Sequence, residues 1–251
     1  MKKACMLVVT SLIAIVFLVT SSYALDQIVE KKTFTLKELT LASGKKIAPV
    51  QVGYETYGTL APTKDNAILI CHFYSGTSHA AGKYSAEDKV PGYWDGIIGP
   101  GKPFDTNKYF IVSSDTLVNI NPKDPKVITT GPASINPQTG KPYGMSFPIV
   151  TIRDFVNVQY ELLKSLGVKK LKAVTGASGG GLQTFQWAVA YPDFVERIIP
   201  VISTPRLHPW LIGWLKLWGD PIKLIPSGTR GTTMARRNPG MEPRTPSWWS
   251  P

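Results

Sequence analysis

The chain has 251 residues, of which 43% are hydrophobic and 10% aromatic. That is the size of one large α/β domain and too apolar for general disorder. Lys and Arg outnumber Asp and Glu by 28 to 17, a formal charge of +11, but no basic-aromatic pattern of a nucleic-acid module accompanies it, so the excess reads as solvated surface and no nucleic-acid partner is expected.

The chain opens with Lys2 and Lys3, the apolar run Met6–Val19, and then Ser22-Tyr23-Ala24. This is the charged start, apolar segment and small-x-small cleavage pattern of a secretory signal peptide. The run of about 14 residues is short against the roughly 20 of a membrane span, so residues 1–24 are expected to be removed and no stable membrane insertion is expected. The expected location is exported, periplasmic or secreted, with a leader of bacterial style. Cleavage would remove Cys5 and leave Cys71 with no intrachain partner. Cys71 ends the run Ala67-Ile68-Leu69-Ile70-Cys71 and reads as a buried, inert thiol.

In chain order, Phe34–Leu41 alternates apolar and polar residues and reads as a strand, and Val50–Tyr57 as a second. Ala67–Phe73 and Tyr109–Ser113 are apolar runs bounded by turn residues, the pattern of buried strands. Residues 75–108 and 119–148, rich in Gly, Pro, Ser or Lys, read as long ordered loops. A helix is predicted after Thr151, with Asp154 completing a capping box, an apolar face of Phe155, Val156, Leu162, Leu163 and Leu166, and an end at Gly167. A strand Leu171–Thr175, a helix from about Gly180 to Tyr191 and a strand Ile198–Ile202 follow. Such alternation predicts an α/β fold with a mostly parallel sheet and helices on both faces. Trp210, Trp214 and Trp218 mark one stripe of a further helix, either a lid over a substrate or an amphipathic helix packed on the core.

The chemistry concentrates at Gly176-Ala177-Ser178-Gly179-Gly180. This Gly-x-Ser-x-Gly pattern falls between a predicted strand and a predicted helix, the context of a nucleophile elbow. A sharp turn crowds its neighbours, so small residues flank the serine, and the following helix would aim its N-terminus at a developing oxyanion. Ser178 is the candidate nucleophile. The backbone N–H of Gly179 is one candidate oxyanion donor. The other lies in His72-Phe73-Tyr74-Ser75-Gly76, where the N–H of Tyr74 is preferred and that of Phe73 comes second.

Several stretches together resemble the homoserine O-acetyltransferase family of α/β-hydrolases. They include Gly53-Tyr54-Glu55-Thr56-Tyr57-Gly58, His72 with Ser78-His79-Ala80-Ala81-Gly82, and Trp94 to Gly101. Phe104-Asp105-Thr106, Gly131 to Pro137, Tyr143-Gly144 and Phe147-Pro148 continue the match, as do Gly180, Gly181, Gln183, Trp187-Ala188 and Tyr191-Pro192 after the serine. The resemblance spans roughly residues 50 to 224. It implies an α/β-hydrolase fold and a ping-pong reaction, in which a serine takes an acyl group from a thioester and passes it to an alcohol. The chain departs from the family at Gly179, where Met is usual, at Ala177, where Gly is usual, and across Val118–Val127, where Asn and Lys replace a Cys/Gly-rich loop. With the export signal, these departures leave water as an alternative acceptor, which would make the protein an esterase. The partners expected are a small-molecule acyl donor and an alcohol or water, with a homodimer left open.

A serine nucleophile needs a base oriented by a carboxylate, in the order Ser, Asp/Glu, His for this fold. After Ser178 the acids are Asp193, Glu196, Asp220 and Glu242, and the histidine is His208. Asp193 ends the elbow's own helix, and His208 follows the strand 198–202 too soon, so it reads as a surface or lid residue. His72 and His79 read as loop-shaping. The triad is expected to be incomplete in a domain running from residue 25 to 224. Residues 225–251 lose all periodicity and read as an aberrant, disordered tail. A reading-frame change near Leu224, with suitable synonymous codons, would turn this tail into an Asp-Pro-x-Trp stretch and a Gly-Asp-Tyr-Tyr resembling the family's continuation. The DNA across codon 225 tests this expectation, and an intact frame without that latent string would refute it. A non-catalytic or non-functional product is the remaining alternative. No metal cluster, phosphate loop or dinucleotide fingerprint is present, so neither a metal nor a tightly held cofactor is expected.

Overall fold

The computed structural model describes residues 28–224, so the leader 1–24 and the tail 225–251 lie outside the described residues. Six strands form the main sheet: β1 (Lys32–Leu36), β2 (Val50–Tyr57), β3 (Ala67–Cys71), β4 (Phe110–Ser114), β5 (Leu171–Ala177) and β6 (Ile198–Val201). Their spatial order is β1-β2-β4-β3-β5-β6. The β1–β2 and β2–β4 pairs are antiparallel, and β4–β3, β3–β5 and β5–β6 are parallel. All residues of β3 and β4 are buried, which is why these strands read as continuous apolar runs rather than alternations.

The long strand expected over Phe34–Leu41 is two elements. β1 stops at Leu36, and Leu39–Thr40 pairs separately with Lys46–Ile47. The alternating pattern continues through the break because Leu39 and Leu41 still point into the core.

Helix α1 (Ile152–Ser165) begins as its capping box requires, with the Thr151 N–H donating to the Asp154 carboxylate at 2.7 Å. It ends where Gly167 adopts φ 82°, and the Val168 N–H returns to the Leu163 carbonyl at 3.0 Å. Helix α2 (Gly179–Ala190) follows β5 after one residue. Both helices cover the same face of the sheet. Val156, Leu162 and Leu163 of α1 and Trp187 of α2 close over Leu69, Val112 and Val174. A buried polar chain joins the helices: Trp187 Nε1 donates to Gln159 Oε1 at 2.8 Å, and Gln159 Nε2 donates to Gln183 Oε1 at 2.7 Å.

Among the described residues the other face is covered by chain without a packed helix. There the irregular segment 80–105 lays Ala80, Ala81, Tyr93, Trp94 and Ile98 over Ile68, Ile70, Ile111 and Ala173. A segment so dense in Gly and Pro cannot sustain a helical ladder, yet it supplies enough apolar side chains to close the core.

Helix α3 (Pro209–Leu224) carries the tryptophan stripe. Trp210, Trp214 and Trp218 are 73%, 46% and 60% exposed and belong to none of the core clusters, so the expectation that the stripe packs on the core is not met. Among the described residues no helix is long and apolar enough to cross a membrane.

Candidate active site

β5 delivers Ser178 to the sheet's carboxyl edge. The Ser178 N–H bonds the Val201 carbonyl at 3.0 Å, continuing the β5–β6 pairing, and the next residue already begins α2. Between strand and helix Ser178 has φ 53° and ψ −114°. A non-glycine residue reaches that conformation only under strain, and such strain clusters at functional sites. The crowding inferred from the sequence is present. A Cβ on Gly176 would lie 2.4 Å from the Cys71 carbonyl oxygen, one on Gly180 2.1 Å from the same atom, and one on Gly181 2.3 Å from Ser203 Cβ. Ser178 itself is exposed, and its side chain makes no hydrogen bond to the start of α2.

The two proposed oxyanion donors lie side by side. A Cβ on Gly179 would point at the Tyr74 amide nitrogen, 3.2 Å away, and would stand 3.8 Å from the Phe73 carbonyl carbon. Phe73–Gly76 is a β-turn closed by the Gly76 N–H on the Phe73 carbonyl at 2.8 Å, which leaves the Tyr74 N–H out of the backbone bonding. The N-terminus of α2 adds its partial positive charge on the same side.

All three histidines of the chain are placed. His72 is buried, and its Nδ1 lies 2.7 Å from the Phe73 carbonyl oxygen. Burial lowers its pKa and keeps the ring neutral, so Nδ1 carries the proton and donates. His79 Nδ1 meets Glu55 Oε2 at 3.1 Å, and its ring stacks on Tyr84 at 4.1 Å. His208 is exposed and accepts the Trp210 N–H at 3.3 Å, capping α3. None of the three bonds Ser178. Cys71 is buried against Gln159, and desolvation pushes its thiol well above the ordinary range.

Beside this site lies a buried ionic network that sequence reasoning missed. Glu55 and Asp115 are both buried, with the Lys31 ammonium 3.3 Å from a carboxylate oxygen of each. Glu55 also accepts the hydroxyls of Tyr57 at 2.7 Å, Tyr84 at 2.6 Å and Ser78 at 3.3 Å, and Lys31 bonds Ser78 Oγ. Asp115 takes the N–H groups of Ser78 and Ile128 at 2.7 and 3.0 Å. Burial alone would raise the Glu55 carboxyl, but the His79 bond, the Lys31 charge and the two tyrosine hydroxyls hold it below its usual range. The available signal was Glu55 at an inward position of a strand whose other buried positions, Val50, Val52, Gly53 and Tyr57, carry no charge. Among the described residues no group of three or more His, Cys, Asp or Glu has the arrangement of a metal site.

A mostly parallel sheet of this strand order, with a strained serine between a central strand and its following helix, defines an α/β-hydrolase fold. A homoserine O-acetyltransferase of Carboxydothermus hydrogenoformans is 50% identical over 204 residues, 81% of this chain and 52% of that protein. Among solved structures, esterase E22 superposes with a TM-score of 0.79 at 55% identity, covering 81% of this chain and 55% of that one. Homoserine O-acetyltransferase from Bacillus anthracis gives a TM-score of 0.79 at 50% identity, covering 84% and 57%. No protein-family model matches the chain. The chain is a homologue of the homoserine O-acetyltransferases, and it spans about half the length of the relatives it matches.

Proposed function

We propose that Ser178 carries an acyl group between a thioester donor and a small acceptor. The observation that carries this reading is the strained conformation of Ser178, at the head of α2 and beside the Tyr74 and Gly179 amides. Ser178 Oγ attacks the acyl carbonyl carbon as its proton passes to water, and the carbonyl oxygen becomes an oxyanion facing the two amides. The C–S bond then breaks, the thiolate leaves and takes a proton, and the acyl group stays on Oγ. An acceptor hydroxyl repeats the attack and returns Oγ to the serine. Because His72, His79 and His208 are all engaged away from Ser178, this chain is expected to acylate slowly, at the residual ~10³–10⁴-fold over water that binding and an oxyanion hole give without a base.

The test is a burst of nitrophenol from an activated acetyl ester, with mass spectrometry of the Ser178 peptide. Acetate on that peptide in the unaltered chain and none in Ser178→Ala is the expected result. Equal background release from both would overturn the reading.

A second reading is hydrolysis rather than transfer. It is favoured by the 55% identity to a solved esterase and by the leader-like run Met6–Val19, which would take the protein away from cytoplasmic acyl-CoA. Adding homoserine to the acylated protein separates the two. O-acyl homoserine as product supports transfer, and free acid alone supports hydrolysis.

A further inference from the structure

The segment beginning at Val118 reaches across to the turn bearing Tyr74. Asn119 is buried, and its Nδ2 donates to the Gly76 carbonyl at 2.9 Å. Asn121 Nδ2 donates to the Ser75 carbonyl at 3.2 Å. The orientation of the Asn119 amide is set locally. Its Oδ1 accepts the Asn121 N–H at 2.9 Å, which leaves only the NH₂ group to face Gly76. The backbone that presents these side chains is held in place by the Val118 N–H on the Thr130 carbonyl at 3.0 Å and the Asn119 N–H on Thr129 Oγ1 at 3.2 Å. Val118 itself sits at φ 50°, a conformation that a β-branched residue adopts only when its surroundings enforce it.

These bonds act on three peptide planes of one turn. The Phe73 carbonyl, fixed by Gly76 N–H and His72 Nδ1, shares its plane with the Tyr74 N–H. Beyond the Tyr74 carbonyl, those of Ser75 and Gly76 are the ones that Asn121 and Asn119 hold, and the Ser75 carbonyl shares its plane with the Gly76 N–H that bonds Phe73. A turn anchored at both ends can no longer rotate the Tyr74 amide away from Gly179.

We propose that Asn119 and Asn121 are positioning residues that hold the Tyr74 amide in the oxyanion-binding orientation. The proposal rests on the acyl-transfer reading of Ser178. Neither side chain touches substrate in this scheme, so their effect should fall on the chemical step rather than on ground-state binding.

The variant that tests it is Asn119→Asp, which keeps size and shape. One carboxylate oxygen can still accept the Asn121 N–H, but the other faces the Gly76 carbonyl with no proton to give. Asn121→Asp, at a more exposed position, is the companion in case the first fails to fold. Two readouts are taken: amide hydrogen exchange across residues 73–77, and the acylation rate of Ser178 by the activated ester as a function of ester concentration. The expected results are exchange in that turn at least tenfold faster, with β3 and β5 unchanged. The maximal acylation rate should fall about 10- to 100-fold, with the half-saturating ester concentration unchanged. Unchanged exchange in both variants would overturn the proposal. So would faster exchange with an unaltered acylation rate, or a loss carried wholly by weaker ester binding. If Ser178→Ala shows that the serine never acylates, the acyl-transfer reading fails, and the exchange measurement alone decides whether the two asparagines hold the turn.

Discussion

At the scale of single residues, the strongest constraint after Ser178 is Lys31. Its ammonium lies between two buried carboxylates whose other partners among the described residues are hydroxyl, amide and imidazole groups. Removing one partner of a buried ion pair leaves an uncompensated charge and costs about 3–5 kcal/mol. Lys31→Met is therefore expected to destabilise the protein by about that amount in urea unfolding at pH 7. The acid-side pH dependence should weaken as well. In the unaltered protein the folded-state pKa of Glu55 is lowered, so its contribution is present above the unfolded value and is lost as pH falls through the folded one. Without Lys31 one of the groups that lower that pKa is gone, so the variant should lose less stability on acidification than the parent does. A variant as stable as the parent, or one that loses as much stability as the parent on acidification, would contradict this expectation.

At the scale of elements, the β5–α2 junction depends on close backbone approach more than on any side chain. The α2 backbone at Gly180 packs onto the end of β3, where an added methyl would stand 2.1 Å from the Cys71 carbonyl oxygen. That carbonyl belongs to a central strand paired on both sides and has little room to retreat. Gly180→Ala is expected to push α2 away from the sheet, at a cost of about 1–3 kcal/mol for overpacking, and to abolish Ser178 acylation. Circular dichroism with thermal unfolding checks the first effect, and the ester burst checks the second. The same junction explains how much of the site was legible. Glycines on both sides of a serine, between an apolar run and a helical pattern, have few other uses. The turn at Phe73–Gly76 had no comparable local signature. Tyr74 could be selected only by assuming where strand β3 ends relative to the elbow, and its two asparagine anchors lie more than 40 residues further along the chain.

At the scale of the whole molecule, the three core clusters are closed by the sheet, α1, α2 and the long loops, with no part taken by α3. Trp210, Leu211, Trp214, Leu215, Leu217 and Trp218 all face outward. Replacing the three tryptophans by Gln should therefore change the thermal midpoint by less than about 2 °C, as surface substitutions do, and should reduce binding of a hydrophobic dye. A large fall in the midpoint would show that the stripe packs on the body after all.

What the sequence determined by itself were the features written in local pattern. These are the capped helix after Thr151, the buried strands at Ala67 and Phe110, the glycine-flanked serine, and a motif order specific enough to identify the homology. Each depends on residues close together in the chain, where periodicity, capping and steric crowding act. Only the tertiary structure decided which face each helix covers, that Lys31 lies between Glu55 and Asp115, and that Asn119 and Asn121 reach the Tyr74 turn. Those facts depend on the strand order β2-β4-β3-β5, which brings distant segments to one end of the sheet. A charge or amide buried there is stabilised only by partners the chain meets after folding, so local sequence carries no trace of the pairing.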